Sequence, residues 1–454
     1  MNLRLLLFPL LLLATGAPFA FTREWTDATG KYKVEAEFDG VVMEKVRLVK
    51  PDGSILAVPL ERLSERDQEY IRSLAETSGN GKPRSQNNQT GPKQDAGAIA
   101  PAKSSQNQVP EIHLVLFVAA GLDPPADAES KMVAAAEYTE TFFVKWMKHW
   151  GYPPAREQIF PRDDRGRIRV LRIHGSKPPG QYTKAFELMQ ELWPKAHAQY
   201  GLPRNNPLWW VYVYKGDPPT RFNEYRGSGD IRRGGWAVVN YENRPGEISF
   251  DQEMAEGFLH DFTLKGCVHE LGHAFGLFHT GPIIADRLGN TLMGPRTDPF
   301  RAAVRSKLDH DRVYLCEAEA AMLWKHFVFS GTVQDRRVVP SAKVQQYRAR
   351  YDRSRNEIVV SGTLVSNHKA HSVVLVDESS PRQVNYWAKT YAARIEPTGE
   401  FQVRVREPSP AAGTFRLMFC FENGAITGDG KTSNPTNAFE KTYTKLGNDY
   451  QFEP

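Results

Sequence analysis

The segment from His269 to His279 constrains this chain more than any other, because it reads HELGHAFGLFH, the pattern HExxHxxGxxH. On an α-helix His269 and His273 lie four residues apart, so both rings project from one face and can hold a single metal ion. A continued helix would point His279 away from the pair. We therefore expect the chain to turn at Gly276, which tolerates a positive φ. Three neutral imidazoles leave a fourth position open for water, which is typical of a catalytic zinc site.

An ordinary amphipathic helix with outward polar residues would account for HExxH alone, since that pattern also arises by accident. It does not account for the further Gly276 and His279 at the required spacing. A zinc site that takes Glu317 or Glu319 as its third ligand is disfavoured, because His279 already supplies that ligand. The full pattern therefore favours a site made by the three histidines.

The segment resembles the zinc endopeptidases of the metzincin clan, and its residues 276–280 are most similar to the pappalysin-like branch. Metzincins follow the zinc helix with a tight turn, in which a methionine underlies the metal. The segment from Asn290 to Pro295 offers such a turn, and Met293 is its methionine. No tyrosine stands two residues beyond Met293, so the resemblance does not imply a tyrosine ligand from this turn.

The same resemblance implies a strand, upstream of the zinc helix, that holds the substrate at the edge of the sheet. Residues 234–240 are short, led by glycine, and come at that point in the chain. We expect this edge strand to bind peptide through main-chain hydrogen bonds. Its candidate residues are Gly235, Trp236, Ala237 and Val238.

The ligand set indicates amide hydrolysis. Zinc lowers the pKa of its bound water and polarises the scissile carbonyl, while Glu270 accepts the water's proton and passes it to the leaving amine. We therefore expect a secreted zinc metalloendopeptidase with one catalytic ion and a protein or peptide substrate. The competing class is a non-catalytic binding or adhesion protein on a metalloprotease scaffold. It is disfavoured because Glu270 and all three histidines are present.

The N-terminus has the pattern of an export signal. Arg4 precedes an apolar run from Leu5 to Leu13, and small residues lead to a cleavage site near Ala17 or Ala20. Residues 1–20 are therefore predicted to be a signal peptide of a secreted, periplasmic or cell-surface protein. The run is too short to span a bilayer, so we expect no transmembrane segment in the mature form. A net charge of +5 without a basic block gives no indication of nucleic-acid binding.

Three cysteines in an exported chain allow one disulfide. Cys267 and Cys316 are the candidate pair. Cys267 faces away from His269 on the zinc helix, and Cys316 lies in an apolar helix predicted over residues 315–327 that packs beneath it. The alternative is that all three cysteines are small buried hydrophobic residues.

Residues 21–75 form a separate module. Alternating apolar residues and glycine-containing turns predict a small antiparallel sheet, which a helix from Ser64 to Leu74 closes. The segments Arg23 to Asp27 and Val58 to Ser64 resemble the first Sla homology domain, a small β-barrel similar to the Src-homology-3 fold. Relatives of that module occur in endocytic proteins and bind peptides there. An exported chain would not meet those peptide ligands. We instead expect the accessory domains to bind cell-surface or extracellular ligands.

The rest of the chain divides into three parts. Residues 76–110 are rich in glycine, serine, glutamine, asparagine, lysine and proline, and predict a flexible linker. Residues 111–330 alternate apolar strands with helical periodicity, which predicts an α+β protease domain with a twisted mixed sheet. Residues 331–454 carry short alternating segments, typical of an immunoglobulin-like β-sandwich accessory domain. The chain is therefore predicted to be multidomain.

Limited proteolysis of the full chain tests these boundaries. We expect the first cut between residues 76 and 110, because a segment without apolar packing is open to proteases, and we expect it to release the small N-terminal module. Mass spectrometry of the fragments locates the cut. First cuts inside residues 111–330 would contradict the boundaries.

Overall fold

The computed structural model describes residues 22–42, 45–49, 55–76, 109–202, 208–216, 225–231, 234–241, 253–254, 264–295, 300, 312–332, 338, 340–379, 385–427 and 439–453. The chain divides into two compact units, 1–99 and 100–454. The predicted signal peptide and nearly all of the predicted linker lie outside the described residues. Among the described helices, none has the length and apolar content that a membrane crossing requires.

The N-terminal unit is an antiparallel sheet in which strands adjacent in sequence pair. Its strands are β1 (Thr22–Thr26), β2 (Lys33–Val42), β3 (Lys45–Val49) and β4 (Ile55–Pro59). Helix α1 (Glu65–Glu76) follows them. Trp25 fills the core, and its indole N–H donates to the carbonyl oxygen of Ala36 at 2.8 Å. The predicted small antiparallel sheet and closing helix are confirmed.

The second unit contains a five-stranded mixed sheet with the order β6-β5-β7-β9-β8. Its strands are β5 (Ile112–Val118), β6 (Val170–His174), β7 (Leu208–Tyr214), β8 (Arg226–Asp230) and β9 (Gly234–Asn240). All neighbours pair in parallel except β8, which is antiparallel to β9. Every residue of β5 and β7 is buried, as expected of strands covered on both faces. The predicted mixed sheet is confirmed.

Helices cover both faces of this sheet. Helix α2 (Ala128–His149) and helix α4 (Leu264–Ala274) share one core with Leu114 and Leu116, while α3 (Ala185–Tyr200) packs against Val115 and Phe117. The alternation follows from the strand, whose successive side chains point to opposite faces. The candidate metal-binding segment therefore begins on a helix that the sheet supports directly.

Short elements follow α4. They are β10 (Asn290–Thr291), β11 (Val313–Tyr314), α5 (Glu317–Leu323) and α6 (Phe327–Ser330). The single helix predicted over residues 315–327 is thus interrupted. The first segment ends at Leu323, and His326 caps the second, because its ring accepts the backbone N–H of Val328.

The predicted disulfide between Cys267 and Cys316 is not formed. All three cysteines are free and buried, which agrees with the alternative that they are small hydrophobic residues of the core. The sulfur of Cys316 lies 3.5 Å from the hydroxyl oxygen of Thr390. Sequence could not exclude the pair, because the direction of each Cβ depends on how the two helices pack.

The residues that the structure describes between 343 and 452 form two antiparallel sheets. The first comprises β12 (Lys343–Asp352), β13 (Glu357–Val365) and β16 (Glu400–Val405). The second comprises β14 (Ala370–Ser379), β15 (Lys389–Arg394), β17 (Ala412–Phe421), β18 (Ile426–Thr427), β19 (Phe439–Leu446) and β20 (Asp449–Phe452). Val360 and Val403 from the first sheet share a core with Leu375 and Leu417 from the second. The two sheets therefore form a sandwich.

The predicted boundary at residues 330/331 does not separate independent units. Val374, Val376 and Met418 point away from the sandwich core and join the core that contains α2 and α4. The second sheet of the sandwich is thus buried on both faces. One face packs against the first sheet, and the other packs against the five-stranded sheet and its helices, described within residues 112–330 and called here the sheet-and-helix half. Period-two alternation identifies strands, but it does not say what covers their outer face.

Met418→Ala tests whether the two halves unfold together. The change leaves a cavity in the shared core and should cost about 2–5 kcal/mol of unfolding free energy. Hydrogen-exchange mass spectrometry should show faster exchange in both α2 and β17. Gln402→Ala, an exposed change on β16, should alter neither. Exchange that rises in the sandwich while α2 keeps its protection would contradict a shared core.

Candidate metal centre and active site

The three histidines converge on one point. His269 and His273 lie on α4, and His279 lies in the loop after it. Ligand-type nitrogens of the three rings all lie within 4.8 Å of one another, and the Nε2 atoms of His273 and His279 are 3.1 Å apart. This cluster can hold one metal ion, as the spacing in the sequence predicts.

Backbone carbonyls orient two of the rings. The Nδ1–H of His269 donates to the Leu292 carbonyl oxygen at 2.8 Å, and that of His273 donates to the Leu277 carbonyl oxygen at 2.9 Å. A carbonyl only accepts, so each Nδ1 carries the proton. Each Nε2 is then left with its lone pair for a metal.

Gly276 ends the helix as predicted. Its φ is +90°, and a β-carbon there would lie 2.5 Å from the backbone nitrogen of Ile231. Only glycine meets both conditions without strain. The chain consequently reverses and brings His279 back to the two helical histidines.

Met293 lies directly beneath the helix. It is fully buried in the turn after β10, and a β-carbon on Gly272 would lie 2.6 Å from its sulfur. The turn therefore packs against the segment of α4 that joins His269 to His273. This position agrees with the place predicted for Met293, and its role beneath a metal remains a prediction.

Glu270 is half-buried beside the histidines, and desolvation of its carboxyl group raises the pKa of that group to about 7. The backbone N–H of Gly227 and the charge of Arg226 both oppose that rise. A dication nearby would favour the carboxylate further. The side chain is therefore held by a fixed backbone donor and suits proton transfer.

The predicted edge strand is wrong. Strand β9, which contains Gly235 to Val238, lies between β7 and β8, so β8 is the outermost of the described strands on this side. The sequence of β8, RGSGD, has no apolar alternation, and strand order is not a local property. Its two glycines at alternate positions were the available signal, since glycine within a strand often marks close backbone approach.

Glycines allow β8 to lie against helix α4. A β-carbon on Gly227 would overlap the Glu270 carbonyl oxygen and lie 2.7 Å from the β-carbon of His273. A β-carbon on Gly229 would lie 2.7 Å from the carbonyl carbon of Ala274. The edge of the sheet therefore runs immediately beside the candidate site.

Glu319 is not a ligand of this cluster. Its carboxylate is fully buried and accepts from the Thr280 hydroxyl at 2.5 Å and from the Cys316 N–H at 2.9 Å. Burial raises the pKa of Glu319 to about 7. The carboxyl group instead anchors the residue that follows His279. The alternative set with Glu319 as third ligand is therefore not supported.

Tyr386 was missed by sequence reasoning. It lies between β14 and β15 in the sandwich, and its ring stacks on His279 with centroids 3.7 Å apart and planes inclined by 28°. No local pattern links the two residues, because their contact depends on how the two halves dock. The candidate site thus includes a side chain from each half of the unit.

The N-terminal module matches the model of SLA1 homology domain 1 over residues 15–78. It is 43% identical over 60 residues to the actin cytoskeleton-regulatory complex protein SLA1 of Candida albicans, and 45% identical over 52 residues to sla1 of Schizosaccharomyces pombe. These matches cover 13% and 12% of this chain, and 5% and 4% of the relatives. The chain therefore carries an N-terminal SLA1 homology domain, as predicted.

The same relatives contradict the predicted export. They are named for the actin cytoskeleton, which lies inside cells. The family match also begins at residue 15, within the segment predicted to be a cleaved signal. The expectation of cell-surface or extracellular ligands rested on that prediction of export.

The second unit is similar in fold to OgpA from Akkermansia muciniphila. A catalytically inactive OgpA in complex with an O-glycopeptide substrate, glycodrosocin, aligns with a TM-score of 0.56 and 18% identity, covering 78% of this chain and 98% of OgpA. Wild-type OgpA gives the same score and identity over 99% of its length. The likeness shows a shared fold across both the sheet-and-helix half and the sandwich.

Gly227→Ala tests the close packing of β8 on helix α4. The added methyl group must push β8 away from the backbone of Glu270, so we expect the free energy of unfolding to fall by about 1–3 kcal/mol. Chemical denaturation measures this free energy. Gly180→Ala is the matched control, because Gly180 has no positive φ and no atom within 4 Å of the added carbon. Equal midpoints for the two variants would contradict the packing described here.

Proposed function

We propose that this chain is a zinc-dependent peptidase. The observation that carries the proposal is the convergence of three imidazoles beside one half-buried carboxyl group, that of Glu270. The fold shared with OgpA, whose substrate is an O-glycopeptide, supports a reaction on peptides. The non-catalytic scaffold is disfavoured, because all four side chains are present and gathered at one place.

The donor set fits zinc better than a hard cation. Neutral imidazoles with protonated Nδ1 and available Nε2 suit zinc, whereas calcium and magnesium prefer oxygen ligands. His269, His273 and His279 would hold the ion, and three protein ligands are the number found in catalytic sites. When bound, zinc supplies a Lewis acid that polarises a carbonyl and lowers the pKa of water.

Glu270 would act as the general base and then as the general acid. It would accept a proton from the attacking water and donate it to the nitrogen of the departing amine. The Gly227 N–H holds the carboxyl group in place. Desolvation raises the pKa of Glu270 and a bound dication would lower it, and a group whose pKa lies near the working pH exchanges protons in both directions most effectively.

Strand β8 is the proposed binding edge for peptide. The Gly227 N–H is directed at Glu270, so a peptide paired along β8 would pass beside the base. An extended substrate can add a strand to such an edge through main-chain hydrogen bonds. This assigns to Arg226–Asp230 the role that the sequence suggested for Gly235 to Val238.

Glu270→Gln tests the enzymatic proposal. Glutamine keeps the volume and an oxygen that accepts the Gly227 N–H, but it removes the proton acceptor. We expect turnover to fall by at least about a hundredfold while the zinc content is unchanged. His273→Ala should differ, because loss of a ligand should lower the zinc content itself. Cleavage is followed by mass spectrometry, and zinc by elemental analysis.

Glu187→Gln is the control, because Glu187 is exposed on α3. It should cleave and bind zinc as the wild type does. A peptide library should be offered with and without O-linked glycans, so that a requirement like the substrate of OgpA is visible. A wild-type protein that binds zinc but cleaves neither library would favour the scaffold. Glu270→Gln cleaving as fast as the wild type would contradict the role of Glu270.

A further inference from the structure

We infer that Tyr386 of the sandwich is a positioning residue of the metal centre, which holds the imidazole of His279 by packing against its face. The inference rests on the proposed function, since it assigns a partner to one of the proposed zinc ligands. It also gives the sandwich a part in the active site.

The ring contacts support this assignment. The centroid of Tyr386 lies 3.7 Å from that of His279 and 6.3 Å from that of His269, and its plane is inclined to theirs by 28° and 21°. The His269 and His279 centroids are 5.3 Å apart. The three centroids therefore lie at the corners of a triangle and not along a line, so the Tyr386 ring lies beside both histidine rings. The phenol ring covers one side of the histidine cluster.

The segment that carries Tyr386 is fixed to the loop that carries His279. The backbone N–H of Gly281 donates to the Ala388 carbonyl oxygen at 2.6 Å, and Gly281 also forms a parallel bridge with Lys389. A β-carbon on Gly281 would lie 2.6 Å from the carbonyl carbon of Trp387. Such a contact leaves no space between the two backbones, so the position of Tyr386 is set by main-chain structure.

His279 depends on such support more than the other two histidines do. His269 and His273 are attached to a helix, whose backbone fixes where their rings begin. His279 lies in a loop, and Glu319 anchors the next residue, Thr280, through its hydroxyl. That anchor fixes the backbone, while the stacked ring of Tyr386 restricts rotation of the imidazole. Pre-ordering a ligand lowers the entropy lost when it binds a metal.

The contact is made by the face of the ring, so an aromatic side chain without a hydroxyl should serve. Three variants separate the possibilities. Tyr386→Ala removes the ring, and Tyr386→Phe keeps it. Tyr351→Ala is the matched control, because it removes a partly buried tyrosine of the same sandwich, from the sheet that does not face the metal centre.

The measurement is the zinc affinity of each full-length protein, by competition with a chromogenic chelator. We expect Tyr386→Ala to bind zinc about 10–100-fold more weakly, the usual cost of losing a group that orients a ligand. Tyr386→Phe and Tyr351→Ala should bind as the wild type does. With cobalt in place of zinc, the visible spectrum of Tyr386→Ala should change and that of Tyr386→Phe should not.

The inference would be overturned if Tyr386→Ala bound zinc with wild-type affinity. It would also be overturned if Tyr386→Phe bound zinc more weakly than the wild type, because the hydroxyl group, and not the face of the ring, would then support the site. The inference would also be overturned if the metal-free Tyr386→Ala protein unfolded at a lower temperature than the metal-free wild type and this general destabilisation accounted for its whole loss of zinc affinity. A wild-type protein that binds no zinc would overturn the proposed function itself. That failure appears in the wild-type measurement and is thus distinguishable from failure of the inference.

Discussion

An imidazole presents one nitrogen to a metal in a fixed direction only when its other nitrogen is held by a hydrogen bond to another group. The carbonyls of Leu292 and Leu277 do this for His269 and His273. Both carbonyls belong to the part of the chain that follows α4, so this helix alone does not create the site. The turn at Gly276 and the turn that contains Met293 must both be in place first. The candidate metal centre therefore depends on the part of the chain that follows α4.

Close backbone packing then builds the surroundings. Gly227 and Gly229 let the edge strand lie against α4, which brings a backbone donor to the half-buried carboxyl group of Glu270. Gly281 lets the sandwich approach the loop of His279 in the same way. The shared core of the two halves fixes these approaches. Side chains of ordinary size at these glycines would separate the elements that make the site.

Sequence predicted what local periodicity encodes. The spacing of His269, His273 and His279 and the positive φ of Gly276 are local, and the strands Ile112–Val118 and Leu208–Tyr214 are continuous apolar runs. Strand order is set by distant pairing, so β9 was mistaken for the edge. The contact of Tyr386 with His279 depends on docking between the two halves, which no local pattern reports. The core shared by the two halves was missed for the same reason.

The most direct test of the account is a crystal structure of the zinc-loaded protein, with anomalous scattering recorded on both sides of the zinc absorption edge. We expect one zinc peak about 2.0–2.1 Å from the Nε2 atoms of His269, His273 and His279, the usual zinc–nitrogen distance, with no fourth protein ligand. Glu270 should lie beside the ion without binding it. Zinc absent from this cluster, or bound there with Glu270 or Glu319 as a ligand, would contradict the account.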